Sequence, residues 1–246
     1  MSQIGTRNEG RKAAEGISGR APTARAAELS QSRSANEERL LRRVRERCHA
    51  AIAEACRYSS VAAAFLAALV ANESGGDARA MRFEPAVYRH LKSLAAGERP
   101  KYAGHHREAL EREIEEMLHP KSPAFHAHFL NAEWTEAPAK QLAACRDEAL
   151  RELATSWGYT QIMGYHLIGR PGTVQDLLDA RFHFHLAIEL LAGFAERYQL
   201  DLAREFAEMF RCWNTGQPYG ETTDPQYVEK GLRRMAMYRE IEWLRD

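Results

Sequence analysis

Cysteine is scarce and never closely paired: the four in 246 residues, Cys48, Cys56, Cys145 and Cys212, form no C-x-x-C spacing. That spacing argues against a structural zinc site and a disulfide framework, and leaves reduced thiols or small buried hydrophobes. No apolar run reaches the roughly 18 residues that a membrane span requires. The first 30 residues lack the apolar h-region of a secretory signal, so no Sec route is expected. Net charge is missing too, with 34 Lys+Arg against 34 Asp+Glu. Bulk electrostatics therefore give no case for nucleic acid or an anionic surface as partner. Period-two alternation is nearly absent, which points away from sheets and toward an all-α fold.

What is present is helix-forming sequence behind a low-complexity arm. Residues 1–36 are rich in Gly, Ser, Ala, Arg and Thr and poor in large apolar side chains, so a disordered, solubilising basic arm is expected. From Asn36, read as an N-cap, "EERLLRRVRERCHAAIAEACRY" places Leu40, Leu41, Val44, Cys48 and Ile52 three and four apart. Ser59 or Ser60 is read as the cap of "VAAAFLAALVANES", a helix apolar nearly all round that stops at Gly75-Gly76. Further helices are expected over 84–97, 106–119, 138–155, 174–198, 201–213 and 225–245, with "SPAFHAHFLNAEWTEAP" unassigned.

Two features point to chemistry. Glu73 stands at the end of the apolar helix, where desolvation raises a carboxyl pKa and makes a proton donor near neutral pH. The alternative is a helix-end glutamate turned to water. The other feature is "ATSWGYTQIMGYHLIG", an uncharged island in a chain otherwise dense in Arg and Glu.

Taken in order, Glu73-Ser74-Gly75, Gly158-Tyr159-Thr160-Gln161-Ile162, Trp213-Asn214-Thr215-Gly216 and Tyr227 carry a family resemblance. Over Phe65 to about Tyr238 the chain resembles the lysozyme-like superfamily, in particular soluble lytic transglycosylases and goose-type lysozymes. Those enzymes share a Glu-Ser pair, a Gly-x-x-Gln-[Ile/Leu] loop, an Ala-Tyr-Asn-x-Gly segment and a late Tyr. "RFEPAVYRHL" with "SWGYTQIMGYHLIG" is similar more narrowly to phage endolysin N-acetylmuramidase domains. The resemblance implies a lysozyme-like helical domain over 37–246, with 81–155 as an inserted helical section. It also implies cleavage of the β-1,4 bond between N-acetylmuramic acid and N-acetylglucosamine in peptidoglycan, with no cofactor and with Glu73 as general acid. Ser74, Trp157, Gly158, Tyr159, Gln161, Trp213, Asn214 and Tyr227 would line or order the saccharide site, Trp157 being equally readable as core. Trp213 stands for the family's usual Tyr, Cys212 for its Ala, and Gly76 for an aromatic common in transglycosylases.

A hydrolase needs a second carboxylate to activate water, whereas a lytic transglycosylase closes a 1,6-anhydro ring with one acid. Asp77 is a candidate second carboxylate or a turn residue, and Glu84 a candidate or a helix-start charge before Pro85; the motif set leans to the transglycosylase. Tyr165 reads as core. The histidine pairs His105-His106, His126/His128 and His183/His185 lack ligand spacing, and two residues apart on a helix face different sides, so no metal is expected. A competing reading is a non-catalytic peptidoglycan-binding or structural module of a phage particle or secretion apparatus; nucleic-acid binding through the Arg-rich arm ranks below both. Without a Sec signal, delivery to the wall is expected by phage lysis or dedicated export.

Overall fold

A computed structural model describes residues 24–95, 147–167 and 172–243. The chain divides into a unit Met1–Asn36 and a unit Glu37–Asp246. Helix α1 runs Ala24–Cys56, so helix starts well before the expected cap, and Asn36 is an interior position. The expectation of disorder through residue 36 is thus corrected over 24–36. Apolar content alone misjudges "ARAAELSQSRSAN": Ala, Arg, Glu and Leu are strong helix formers, and extending an existing helix costs far less than nucleating one.

In the larger unit, α1 turns Leu41, Val44, Cys48 and Ile52 inward, the stripe read from the sequence. Helix α2, Ala63–Glu73, is buried continuously from Ala64 to Ala71. Its N-cap is Ala62, with no side-chain cap. Ser59 instead closes the preceding turn, donating to the Cys56 carbonyl and accepting from the Val61 amide at 3.2 Å. Helix α2 ends as expected at the glycine pair: Gly75 (φ +62°) and Gly76 (φ +85°) take the left-handed turn. Arg43 and Arg47 of α1 donate to their two carbonyls and hold that turn in place.

A small sheet follows within a chain that is otherwise helical, as the expectation of a mostly or wholly α-helical domain has it. Strands β1 (Met81–Phe83), β2 (Thr155–Trp157) and β3 (Ile162–Met163) pair antiparallel in the order β1-β2-β3. Met81 opposes Trp157, and Trp157 opposes Ile162. Strands of two or three residues are too short for alternation to register in a sequence. Helix α3 (Pro85–Ala95) starts with proline, where a missing N–H costs nothing, and α4 (Asp147–Leu153) opens with two acidic residues. The helix expected at 106–119, the unassigned segment, most of the proposed insertion, Cys145 and the histidines at 105, 106, 126 and 128 lie outside the described residues.

The expected helix over 174–198 is broken in two. A 3-10 turn at Asp176–Leu178 precedes α5 (Ala180–Tyr198), whose N-cap Asp179 accepts from the Phe182 amide at 3.0 Å. Helix α6 (Phe206–Thr215) starts later than expected, because Asp201 and Glu205 close a turn by bonding backbone amides at 2.8 and 2.6 Å. Helix α7 (Tyr227–Trp243) packs most extensively on α2. Gly231 lets it approach α6: a β-carbon there would lie 2.7 Å from the Phe210 ring. Phe65 of α2 stacks on Phe206 and packs at a tilt on Phe210 of α6, with centroids 5.8 and 4.5 Å away. Leu66, Leu69, Phe184, Phe210 and Tyr238 are fully buried, each contributing about 1.5–3 kcal/mol. Among the described residues no helix is long and apolar enough to cross a membrane.

Candidate active site

Glu73 is the last residue of α2, carried by eight buried positions to the edge of the core. One face of its carboxyl stays open to a cleft of about 370 Å³. Burial raises its pKa to about 7, against the pull of a hydrogen bond from Tyr227 and the positive charge of Arg82. Tyr227, the first residue of α7, donates its hydroxyl to Glu73 Oε1. Burial, and then the neighbouring Glu73 charge, push the Tyr227 pKa well above the ordinary phenol value, so this group remains a donor. A carboxyl that is half protonated near neutrality and touches a permanent donor is equipped for general acid catalysis.

The cleft has walls from several elements. Gln161, Ile162 and Met163 come from the β2–β3 turn and β3; Leu190 and Phe194 from α5; Trp213, Asn214 and Thr215 from the end of α6. Arg82 and Glu84 flank Glu73 from β1 and the residue after it. Its size suits a ligand of a few rings, and its lining mixes aromatic, aliphatic and amide groups with few charges. Glu73, Gln161, Trp213, Asn214 and Glu84 therefore share one cavity. Arg82, Met163 and His166 also line it, inside the two muramidase-like runs but not singled out as site residues, and so do Leu190, Phe194, Glu221 and Thr223, which no sequence motif marks. Glu221 and Thr223 carry one usable signal, their position between Asn214 and Tyr227.

Other expected wall residues lie behind the lining. Ser74 donates to the Tyr159 carbonyl at 2.6 Å and accepts from the Gly76 amide at 3.2 Å, tying the end of α2 to the 158–161 turn. Trp157 is buried, with Nε1 donating to the Glu152 carbonyl at 3.1 Å; core packing, the alternative reading, describes it. Tyr159 is buried against Phe184 and His183, centroids 5.0 and 5.5 Å away. Gly158 (φ +70°) makes its close approach to protein: a β-carbon would lie 2.4 Å from the Leu177 carbonyl and 2.8 Å from His183 Nδ1. Asp77 is exposed, absent from the lining, and bonds the Arg79 amide at 2.9 Å, a turn residue. Glu84 bonds Arg82 Nε at 2.5 Å.

Gln161 lines the cleft, yet most of its amide serves the turn. Nε2 donates to the Ala80 and Gly158 carbonyls at 3.0 and 2.9 Å, and Oε1 accepts from Ser156 at 2.8 Å. Only the second lone pair of Oε1 remains for a ligand. Its left-handed backbone (φ 57°) is stabilised by those bonds.

His183 fixes the same turn from below. It is fully buried; Nε2 accepts from the Thr160 amide at 2.9 Å and Nδ1 bonds the Leu177 carbonyl at 2.8 Å. That pair of bonds defines a neutral ring with its proton on Nδ1, and burial lowers its pKa to about 4. The Thr160 carbonyl in turn accepts from Trp213 Nε1 at 2.9 Å, which orients the cleft aromatic. His185 is exposed on the opposite side of α5. Among the described residues no three His, Cys, Asp or Glu side chains are grouped to hold a metal ion. No family model matches the chain, and no curated protein or solved structure matches it, so the functional reading rests on the site itself.

Proposed function

We propose that this protein is a lysozyme-like, peptidoglycan-cleaving glycosidase in which Glu73 protonates the oxygen linking N-acetylmuramic acid to N-acetylglucosamine. The observation that carries the reading is the Glu73–Tyr227 pair: a carboxyl raised to about 7, open to a cleft on one side and hydrogen-bonded by a buried phenol on the other. As the glycosidic bond breaks, the proton leaves Glu73 and charge accumulates on its carboxylate. The Tyr227 hydroxyl is already in place to stabilise that charge, so the bond strengthens along the reaction coordinate. Trp213 offers an apolar face to a pyranose ring, and Asn214 and the free Gln161 lone pair offer polar contacts to hydroxyl and N-acetyl groups.

The lytic transglycosylase route suits this site better than hydrolysis. After the first step the Glu73 carboxylate can take the proton of the muramic 6-hydroxyl as that oxygen attacks the anomeric carbon, forming the C1–O6 bond and regenerating the acid. One carboxyl thus serves both halves. Of the two partners for a hydrolytic water named from the sequence, Asp77 is outside the cleft lining and Glu84 is ion-paired with Arg82; Glu221 is a third carboxylate on the cleft, and the ends of the products decide between the routes. The test is muropeptide release from purified sacculi. Glu73→Gln should slow release at least about a hundredfold, and mass spectrometry should find 1,6-anhydro ends. Reducing ends would assign hydrolysis instead; full activity in Glu73→Gln, or sugar binding without products, would sink the catalytic assignment.

A further inference from the structure

The two partners of the Glu73–Tyr227 bond come from different helices, and a single side chain secures both. Arg234, on α7 and only 13 % exposed at its side chain, uses Nη1 to donate to the Ala71 carbonyl at 3.1 Å and to Asn72 Oδ1 at 2.8 Å. Ala71 and Asn72 are the two residues before Glu73, and the Ala71 carbonyl is in the last turn of α2, where carbonyls lack helical partners. A guanidinium there also opposes the negative end of the helix dipole. Asn72 passes the constraint on, its Nδ2 donating to the Tyr227 carbonyl at 3.1 Å. Arg234 is itself held by the Glu37 carboxylate of α1, through Nε at 2.7 Å and Nη2 at 2.9 Å. The guanidinium therefore makes two bonds to the acid's own helix end and two to its anchor, a geometry that a lysine cannot reproduce.

We propose that Arg234 is a positioning residue for Glu73, acting by fixing the end of α2 and, through Asn72, the start of α7 so that the Tyr227 hydroxyl stays on the acid. The inference rests on Glu73 being the reacting acid. Glu37 anchors Arg234 as a carboxylate, its pKa lowered first by the Arg234 hydrogen bond, against burial, and further by the charges of Arg234, Arg233 and Lys230. Around Glu73 the titratable and charged groups are Tyr227 from α7 and Arg82 from β1, with Glu84, Glu221, His166, Tyr165 and Cys212 on the same cleft. Neither Arg234 nor Glu37 lines that cleft. Their influence on the acid travels through the helix ends.

The experiment is a carboxyl-¹³C NMR titration of Glu73 in the full chain, for the wild type, Tyr227→Phe, Arg234→Met and the double variant. Tyr227→Phe removes a bond to the ionised acid and raises the midpoint. Arg234→Met is expected to raise it too, by about half a pH unit or more, and the double variant should match Tyr227→Phe alone, because both changes break one bond. Arg234→Lys, which keeps charge but loses the fork, should fall between wild type and Arg234→Met. An unchanged midpoint in a folded Arg234→Met protein, or shifts that simply add, would overturn the proposal. If Arg234→Met does not fold, Asn72→Ala severs the link to Tyr227 and should give the same upward shift; no shift there also overturns it. The titration reads no turnover, so its failure is separate from any failure of the sacculus assay.

Discussion

Tyr227 and Glu73 lie 154 residues apart in sequence, and the hydroxyl of the first donates directly to Oε1 of the second, joining the start of α7 to the end of α2. The bond favours the ionised carboxylate while burial favours the neutral acid, and burial is the larger effect. Removing the hydroxyl should therefore move the Glu73 pKa further up. In Tyr227→Phe the alkaline limb of the kcat/KM profile on sacculi is expected to shift to higher pH, since that limb reports the free acid. The plateau rate should also fall about ten- to a hundredfold, the worth of one hydrogen bond to a developing charge of about 1.5–3 kcal/mol. A limb that moved down would mean that Tyr227 does not stabilise the ionised form.

Holding a carboxyl at this position costs stability, and the pH dependence of that cost has a definite sign. The folded chain keeps the Glu73 proton up to about 7, whereas the unfolded chain releases it near 4.5. Between those values the folded state binds more protons, so this group's contribution to stability falls as pH rises from 4.5 to 7. At about 1.4 kcal/mol per pH unit the loss across this window is at most about 3.5 kcal/mol, less because the carboxyl is partly exposed. Glu73→Gln should therefore unfold at higher urea than wild type at pH 8, with the gap closing by pH 4. Equal midpoints at both pH values would show that the acid is not desolvated.

How much of this is legible in the sequence differs from residue to residue. Glu73 is readable because eight consecutive buried positions leave a continuous apolar run, and a carboxylate ending such a run is conspicuous. The cleft segment at 213–214 is readable by its motif. The 154–169 stretch is harder: its lack of charge suggests a single wall, yet Gln161, Ile162 and Met163 line the cavity while Trp157, Gly158 and Tyr159 pack behind it. A tight turn sends neighbours in sequence to opposite sides, and strands of two or three residues carry no period to say which is which. Arg234 and His183 are invisible as site residues because both act through bonds to backbone that is distant in sequence. The early start of α1 is hidden for another reason, that hydrophobicity there points one way and helix propensity the other.

Gly158 and Gly193 should respond to the same substitution in opposite ways. At Gly158 an alanine β-carbon meets the Leu177 carbonyl at 2.4 Å and His183 Nδ1 at 2.8 Å, on a backbone of φ +70°. Gly158→Ala is expected to destabilise the fold by at least about 2 kcal/mol, from strain plus displacement of the histidine. At Gly193, inside α5, a β-carbon would meet nothing within 4 Å, and Gly193→Ala should stabilise by about 0.5–1 kcal/mol. Urea unfolding of the two variants checks both signs, and tolerance at residue 158 would refute the packing described for the turn.

His183 works in the opposite pH direction to Glu73. Its ring is neutral in the folded chain down to about 4, while an unfolded histidine takes a proton near 6.5. Between these values the unfolded chain binds more protons, so this contribution to stability falls as pH drops from 6.5 to 4, by at most about 3.5 kcal/mol. The windows of the two residues overlap, and the stability profile of the wild type shows only their difference. Substitution separates them: Gln at position 183 can accept from the Thr160 amide and donate toward the Leu177 carbonyl without titrating. His183→Gln should lose some stability at pH 7 through poorer packing, yet lose less than wild type on going from pH 6.5 to 4. Urea midpoints at the two pH values measure this directly. A variant whose loss ran parallel to the wild type would show that His183 is not the group that couples this turn, and with it the Trp213 side of the cleft, to acid.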